Sequence, residues 1–354
     1  MPLQIIRPDT KIPFISFSRI AYAVSAVVII LGLASLLFKG GPRYGIDFAG
    51  GITVQVQFEQ ETEINNIKSA LDNTGISNMV VQRFGMPGDN EYLIRISSQE
   101  LTAEEARNKI EAAFDNNMPG ADYIIQRQEM VGPKVGSDLR TKALQALFYA
   151  VLIIAIYISG RFEQRWWASA VMAAGLAGGV YGLQFLGLSM TWLIWAALVI
   201  TLVLCWRLKL NYALGAVVAL AHDVLIVVGL FSLMNKEFDL SIVAALLTII
   251  GYSLNDTIIV FDRIRENLRG KISKSLAKTI NISINQTLSR TLLTSGTTLL
   301  VVLSLYLFGG GVIHDFAFAL LVGVFVGTYS SIFVASPILL GFKPRPEEPA
   351  EAPA

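Results

Sequence analysis

The sequence predicts a polytopic α-helical membrane protein with eight spans and one α+β domain outside the bilayer. Of its 354 residues, 53% are hydrophobic and only 16% are charged, a balance that soluble globular domains do not have. Eight apolar runs have about the length of a membrane span, at residues 20–38, 143–158, 166–186, 190–206, 211–234, 240–261, 292–308 and 316–341. Between the first two runs, residues 39–139 show the periodicities of strands and amphipathic helices instead.

The segment 39–139 is predicted to form a ferredoxin-like βαββαβ domain. Residues 51–59, GITVQVQFE, alternate like a strand, and Ile64, Ile67 and Leu71 have helical spacing. MVVQRFG and EYLIRIS flank the turn MPGDN and predict a hairpin. A second helix and a last strand then complete the order of the split βαβ motif.

The second helix of this domain carries a start signal. Thr102 and Glu105 in TAEEARNKIEAAF have the spacing of a capping box, and ADYIIQRQEM follows as the last strand. The segment contains no histidine, no cysteine and no Gly-rich phosphate loop, and the glycine-flanked Asp47 in GIDFAGG fits turn chemistry better than a functional role. We therefore expect a binding or handle module rather than an active site.

The charges of the short loops predict the orientation in the membrane. The loops GLSM, NKEFD and GGGVIHD together carry one lysine. The other connections and both ends of the chain hold the basic residues Arg7, Lys11, Arg161, Arg165, Arg207, Lys209, Arg263, Arg265, Arg269, Lys271, Lys274, Lys278, Lys343 and Arg345. By the positive-inside rule, both termini are cytoplasmic and the large domain is external or periplasmic.

This orientation divides the chain into six parts. They are the cytoplasmic N-terminus with the first span (1–38), the external domain (39–139), the second span with a cytoplasmic loop (140–163), an inserted pair of spans (164–210), four further spans (211–342) and a disordered Pro-, Ala- and Glu-rich tail (343–354). Within the four-span part, Ile and Leu recur every four residues across 269–289, which predicts an amphipathic helix along the cytoplasmic face.

Three ionisable residues lie in or beside the apolar runs. Asp223 is in the middle of its run, Asp256 comes six residues before the charges that begin at Asp262, and Arg290 stands at the start of the next run. A charge at the centre of a bilayer costs roughly 2.5–3.5 kcal/mol, so each of these residues requires an explanation. The side chain of His222 should point about 100° away from Asp223, so the two need not cooperate.

A polar track is predicted along two neighbouring spans. Asp256 shares a helical stripe with Tyr252, and Arg290 shares a face with Thr294. We interpret three residues as a candidate proton relay, with three further polar side chains in support: Asp256, Arg290 and Asp223, then Asn255, Tyr252 and Thr294. The alternatives are a structural hydrogen bond between helices for Asp256 and a positive-inside anchor for Arg290.

The chain offers no constellation typical of catalysis. No Ser or Cys is paired with a base, no HExxH sequence occurs, and the only histidines are His222 and His314. We expect no enzymatic activity, no metal, and no cofactor apart from a coupling ion. The formal net charge of +1 gives no reason to expect nucleic acid as a partner.

Five motifs carry a resemblance to a known family. GIDFAGG, AHDV, GYSLNDTIIVFDRIREN, QTLSRTLLTSGTT and LYLFGG occur in this order and together resemble SecF, the smaller subunit of the SecD–SecF accessory complex of bacterial protein export. This family is related to the resistance–nodulation–division transporters. The resemblance covers most of the chain, excluding the tail and one internal block.

The resemblance implies both a function and partners. It implies a multi-pass protein of the bacterial inner membrane that works with SecD and the SecYEG channel, and that uses the proton-motive force to move exported unfolded polypeptides at the outer face. It places Asp256 and Arg290 in the proton path, with H⁺ as the expected coupling ion and Na⁺ as the alternative. Two other functions stay open: a proton-driven exporter of small molecules or lipids, and a passive scaffold of the translocon.

One internal block departs from the family pattern. SecF proteins usually have six spans, whereas residues 164–210 add two apolar runs that hold all five tryptophans and the one cysteine. An even number of added spans leaves every later loop on its expected side. We therefore expect a six-span bundle with an inserted helix pair, eight spans in total, and an unchanged orientation.

Overall fold

The computed structural model describes residues 10–76, 79–85, 88–97, 101–163, 166–185, 187 and 190–341. Its first elements are α1 (Phe14–Phe38), α2 (Ile46–Ala49), β1 (Gly51–Phe58), α3 (Ile64–Leu71), β2 (Met79–Phe84), β3 (Glu91–Ile96), α4 (Ala103–Asn117), β4 (Tyr123–Val131) and α5 (Pro133–Glu163). Then follow α6 (Trp166–Phe185), α7 (Met190–Arg207), α8 (Asn211–Leu233), α9 (Leu240–Arg269), α10 (Leu276–Phe308), α11 (Gly310–Ser330), a π-helical turn (Ser331–Ala335) and α12 (Ser336–Ile338). The predicted tail 343–354 lies outside the described residues.

Six helical stretches in the described part of the chain are long and apolar enough to cross a membrane. They are Phe14–Phe38, Pro133–Glu163, Asn211–Leu233, Leu240–Arg269, Leu276–Phe308 and Ile313–Gly341. The inserted block forms α6 and α7 instead, of 20 and 18 residues. Helix α6 packs against α5 and α7, and α7 also packs against α8. The chain is thus a multi-span helical protein, and the total of eight spans stays a prediction.

Helix α9 contacts four other long helices of the bundle, α5, α8, α10 and α11. Small residues allow the neighbouring helices to approach closely. A Cβ atom on Gly32 of α1 would lie 2.6 Å from the Cα atom of Gly229 of α8, so no larger residue fits at this crossing. The bundle core around these contacts is apolar and continuous from α5 to the C-terminal turns.

The domain of residues 39–139, which is predicted to be external, contains a four-stranded sheet with two helices on one face. The strand order is β2-β3-β1-β4, and all neighbouring strands are antiparallel. Its apolar core lies between the sheet and helices α3 and α4. The capping box is confirmed, since the Thr102 side chain accepts from the Glu105 N–H and the Glu105 carboxylate accepts from the Thr102 N–H. The latter bond lowers the pKa of the Glu105 carboxyl.

The predicted amphipathic segment 269–289 covers the end of α9, a short connection and the first turns of α10. Helix α9 continues through the charged residues after Asp262 to Arg269, and α10 then runs unbroken from Leu276 to Phe308. No proline interrupts α10. Its apolar stripe, which includes Ile280 and Ile284, packs into the bundle core rather than along a membrane surface. A four-residue repeat of apolar residues is compatible with a helix on a membrane surface and with a helix packed against a protein core.

Candidate functional site

Asp256 is buried between three helices. It projects from α9, and its exposed fraction is 1%. One carboxylate oxygen, Oδ2, accepts a hydrogen bond from Ser295 Oγ of α10 at 3.1 Å. The hydroxyl of Thr328 on α11 lies 3.5 Å from the same oxygen and 2.7 Å from Ser295 Oγ. The other oxygen, Oδ1, has no hydrogen-bond partner among the described residues.

Two further buried hydroxyls, on α9 and α10, are also unpaired within the described part of the chain. They belong to Tyr252 and Thr291. Tyr252 is one helical turn before Asp256 on α9, and Thr291 is one turn before Ser295 on α10. A buried polar group without a partner costs about 1–3 kcal/mol, so this cluster is poorly satisfied. Helices α9 and α10 therefore carry two unpaired donors, each one turn away from a member of the Asp256 site.

The other predicted members of this site are not buried. Asn255, Arg290 and Thr294 are exposed on the outside of the bundle. Thr294 donates its hydroxyl hydrogen to the carbonyl oxygen of Arg290 at 3.1 Å, within α10. The described structure contains no ion pair between Arg290 and Asp256. The predicted polar track is thus divided into a buried part around the carboxylate and an exposed part on α9 and α10.

Asp223 on α8 is equally buried but fully bonded. Its exposed fraction is also 1%. Its Oδ1 lies 2.8 Å from His222 Nδ1. Its Oδ2 accepts hydrogen bonds from Ser253 Oγ of α9 at 2.5 Å and from Ser330 Oγ of α11 at 2.8 Å. This carboxylate therefore ties three helices together.

His222 extends the network of Asp223 to α1. Its Nε2 lies 2.9 Å from Ser25 Oγ, which in turn lies 3.0 Å from the hydroxyl of Tyr329. The Tyr329 hydroxyl donates to the carbonyl oxygen of Ala21 at 2.7 Å. The diverging Cβ directions of His222 and Asp223 left their cooperation open, and the structure shows that the two side chains bond each other. The signal for this bond in the sequence was the pair of adjacent polar residues, His222 and Asp223, within an apolar run.

The two carboxylates share a single helix interface. Ser253 and Asp256 lie on α9, three residues apart, and Thr328 and Ser330 lie opposite on α11. Gly327 makes this proximity possible, because a Cβ atom there would lie 2.9 Å from Cβ of Ser253. A π-helical turn, a feature that often marks functional sites, follows directly on α11. A shift of α9 against α11 would therefore affect both sites.

The described residues contain no cluster of three or more His, Cys, Asp or Glu side chains that could hold a metal ion. The chemistry available at this site is therefore that of buried carboxylates, hydroxyls and one imidazole. Such groups can bind, release and pass a proton. The expected lack of a cofactor and of enzymatic activity stays a prediction.

Comparison with known proteins identifies the family. The model of the SecD/SecF C-terminal region of protein export membrane proteins matches residues 109–178 and 175–345, and the SecD/SecF GG motif matches residues 35–62. The SecF translocase subunit of Desulfurispirillum indicum is 43% identical over 344 residues, covering 96% of this chain and 94% of the relative. The chain belongs to the SecF family. The SecF subunit of Vibrio alginolyticus is 39% identical over 338 residues, covering 95% of this chain and 91% of that protein.

Solved structures of SecDF have a similar fold. The crystal structure of SecDF from Thermus thermophilus, a translocon-associated membrane protein, superposes with a TM-score of 0.69 at 32% identity and covers 96% of this chain. SecDF in its super-membrane-facing form gives a TM-score of 0.57 at the same identity and coverage. In both comparisons this SecF-family chain spans 39% of the SecDF chain.

Proposed function

We propose that this SecF-family chain works with a SecD partner in the bacterial inner membrane and uses the proton-motive force to promote movement and release of polypeptides at the outer face. The observation that carries this proposal is the poorly satisfied carboxylate of Asp256, buried between α9, α10 and α11. A fully structural carboxylate would have donors for both oxygens. An unpaired buried carboxylate oxygen is stabilised by binding a proton or by gaining a donor, so Asp256 is expected to change its protonation state and its partners.

Proton binding at Asp256 would change the packing of α9 against α10. The neutral carboxyl avoids the cost of a charge in the membrane. The ionised form needs donors for Oδ1, and the unpaired hydroxyls of Tyr252 and Thr291 or the guanidinium of Arg290 can supply them after a small rearrangement. One charge crossing 100 mV supplies about 2.3 kcal/mol, which is enough to bias such a two-state element. We take H⁺ as the coupling ion, with Na⁺ as the alternative.

The partner surface of this function is the exposed polar face on α9 and α10. Asn255, Arg290 and Thr294 would be unfavourable against lipid hydrocarbon, since polar groups in membranes face protein or water. A SecD subunit that contributes an acidic side chain would complement Arg290 there. The SecYEG channel with its accessory subunits, and unfolded exported polypeptides, are the further partners that we propose.

The proposed topology has eight spans, cytoplasmic termini and an external ferredoxin-like domain. Cysteines introduced at Asp89 and at Lys274 test it, because they lie on opposite sides in this topology. An impermeant thiol reagent applied to intact cells should label the cysteine at Asp89 only, and the one at Lys274 only after the membrane is opened. Labelling of both from the same side would refute the topology.

The mechanism is tested by Asp256→Asn. Asparagine is nearly isosteric and still forms hydrogen bonds, but it cannot exchange a proton in this way. We expect the variant to insert and bind SecD normally, and to lose the stimulation of reporter export that an uncoupler abolishes in the wild type. Asn255→Asp, which moves a carboxylate to the exposed neighbour, should not restore stimulation to Asp256→Asn. Uncoupler-sensitive stimulation by Asp256→Asn at the wild-type level would make Asp256 a structural residue and refute this mechanism.

A further inference from the structure

The external domain meets the membrane bundle at a small, well-bonded junction. We call residues 43–47 and 236–240 the outer junction. The two segments pair in parallel, since Gly45 N–H donates to the carbonyl oxygen of Phe238 at 2.7 Å and Phe238 N–H donates to that of Arg43 at 2.7 Å. The first segment leads into the external domain, and the second leads into α9. Their pairing therefore joins the domain to the helix that carries Asp256.

Asp47 is part of the N-terminal cap of α9. Its Oδ2 accepts a hydrogen bond from the backbone N–H of Leu240 at 2.9 Å. Asp239, the N-cap residue, accepts from the N–H of Ile242 at 2.9 Å. Together they satisfy two of the N–H groups that a helix start leaves unpaired, and their negative charges suit its positive end. Asp47 therefore bonds a distant helix, and its interpretation as local turn chemistry was incomplete.

Glu237 of the outer junction is held by two arginines. Both of its carboxylate oxygens bond the guanidinium of Arg95 on β3, with Nη1 to Oε1 at 2.5 Å. Arg43 Nε lies 3.3 Å from Oε1, and Arg43 Nη2 donates to Gln82 of β2 at 3.2 Å. The side chains of Arg95 and Glu237 are only 13% and 15% exposed. A bidentate, largely buried pair of this kind fixes orientation as well as distance.

Helix α2 links the outer junction to a second helix of the bundle. While Asp47 bonds the start of α9, the backbone of the neighbouring Phe48 packs against the start of α5. A Cβ atom on Gly136 would lie 3.1 Å from the Phe48 carbonyl oxygen. Because α2 contacts both helices, any movement of α9 relative to α5 would turn α2 and the β1 strand that follows it.

We propose that the outer junction transmits movement of α9 to the external sheet, with Asp47 and Glu237 as its positioning residues. This inference rests on the proposed function, in which a proton at Asp256 moves α9. Leu240 and Asp256 are joined by unbroken helix, about 24 Å long at 1.5 Å per residue. The helix therefore moves as a unit, and its outer end pushes or pulls the segment that carries the external domain.

The first test reverses the charge at Glu237 in the full-length chain bound to SecD. Glu237→Arg faces two arginines and should abolish uncoupler-sensitive export. It should also broaden the distance distribution between spin labels at Glu104 on α4 and Leu37 on α1, in a background lacking Cys205. The swap Arg95→Glu with Glu237→Arg re-forms an ion pair and should restore both the uncoupler-sensitive export and the narrower distance distribution. Glu111→Arg, which breaks a bridge to Arg107 within the external domain, is the matched control.

The outcomes separate this inference from the proposed function. A wild-type complex without uncoupler-sensitive export would refute both. Wild-type stimulation that survives in Glu237→Arg, or a distance distribution that the substitution leaves unchanged, would refute the outer junction alone. The charge swap distinguishes loss of the ion pair from damage to folding, because only the ion pair depends on the charge of the partner side chain. If the swap restored neither export nor the distance distribution, the outer junction would also be refuted.

The second test addresses Asp47 without changing the ion pair. Asp47→Ala removes the acceptor for Leu240, whereas Asp47→Asn keeps one. In Asp47→Ala we expect amide exchange at Leu240 to rise about 5- to 30-fold, as for loss of a helix cap, together with loss of export stimulation. Asp47→Asn should retain most of both properties. Equal export by the alanine variant and the wild type would refute the role of Asp47 as a positioning residue of the outer junction.

Discussion

The two buried aspartates of this protein differ in how well they are bonded rather than in how deeply they lie. Asp223 and Asp256 have the same exposed fraction, 1%, and both lie at the interface of α9 with α11. Asp223 has partners at both oxygens, from His222, Ser253 and Ser330. Asp256 has partners at one oxygen only. Burial alone therefore does not decide the role of a membrane carboxylate.

This difference suggests two roles for one residue type. A fully satisfied polar network resists rearrangement, because any new arrangement would lose hydrogen bonds in a medium of low dielectric constant. A partly satisfied site can rearrange at little cost, because a second arrangement can satisfy groups that the first leaves unpaired. We therefore expect the network of Asp223 to keep α9 joined to α1, α8 and α11 as one group, and Asp256 to change partners on protonation, so that this group shifts against α10. The relay role of Asp223 stays a prediction.

The largest expected contrast is in stability. Leucine resembles aspartate in size but removes all acceptors. Asp223→Leu leaves His222, Ser253 and Ser330 without their partner and should lower the free energy of unfolding by about 3 kcal/mol or more. Asp256→Leu should change it by about 1 kcal/mol or less, since Ser295 and Thr328 still bond each other. Thermal unfolding of the purified chain in detergent measures both, and equal losses would contradict the distinction between the two sites.

The sequence predicted six helices of membrane-spanning length, the order of elements in the domain of residues 39–139 and the buried position of Asp256, because each depends on composition or short-range periodicity. It did not predict the bond between His222 and Asp223, because helical spacing gives only the direction of each Cβ atom. The bond from Asp47 to Leu240 was also missed. It joins residues 193 positions apart, and such long-range contacts leave no periodic signal in a single sequence.

A smaller effect is expected from the one clear donor to Asp256. Ser295→Ala removes the hydroxyl that bonds Oδ2 and should lower the free energy of unfolding by about 1 kcal/mol. It should also reduce uncoupler-sensitive export, because the carboxylate loses the partner that positions it. Ser304→Ala is the matched control, since the Ser304 hydroxyl on the same helix donates to the carbonyl oxygen of Leu300. If both substitutions gave the same export, the hydroxyls around Asp256 would have no part in coupling.

The smallest effect on stability is expected at Arg290. This side chain is exposed and makes no ion pair with another described residue, so Arg290→Lys and Arg290→Met should both change the free energy of unfolding by about 0.5 kcal/mol or less. Their effects on export should differ, because lysine keeps the positive charge while losing the planar fork of donors, and methionine loses both. We expect reduced stimulation with lysine and none with methionine, measured with and without an uncoupler. An arginine that only anchors the membrane boundary would tolerate both changes alike, and that result would restrict the polar track to the buried groups around Asp256.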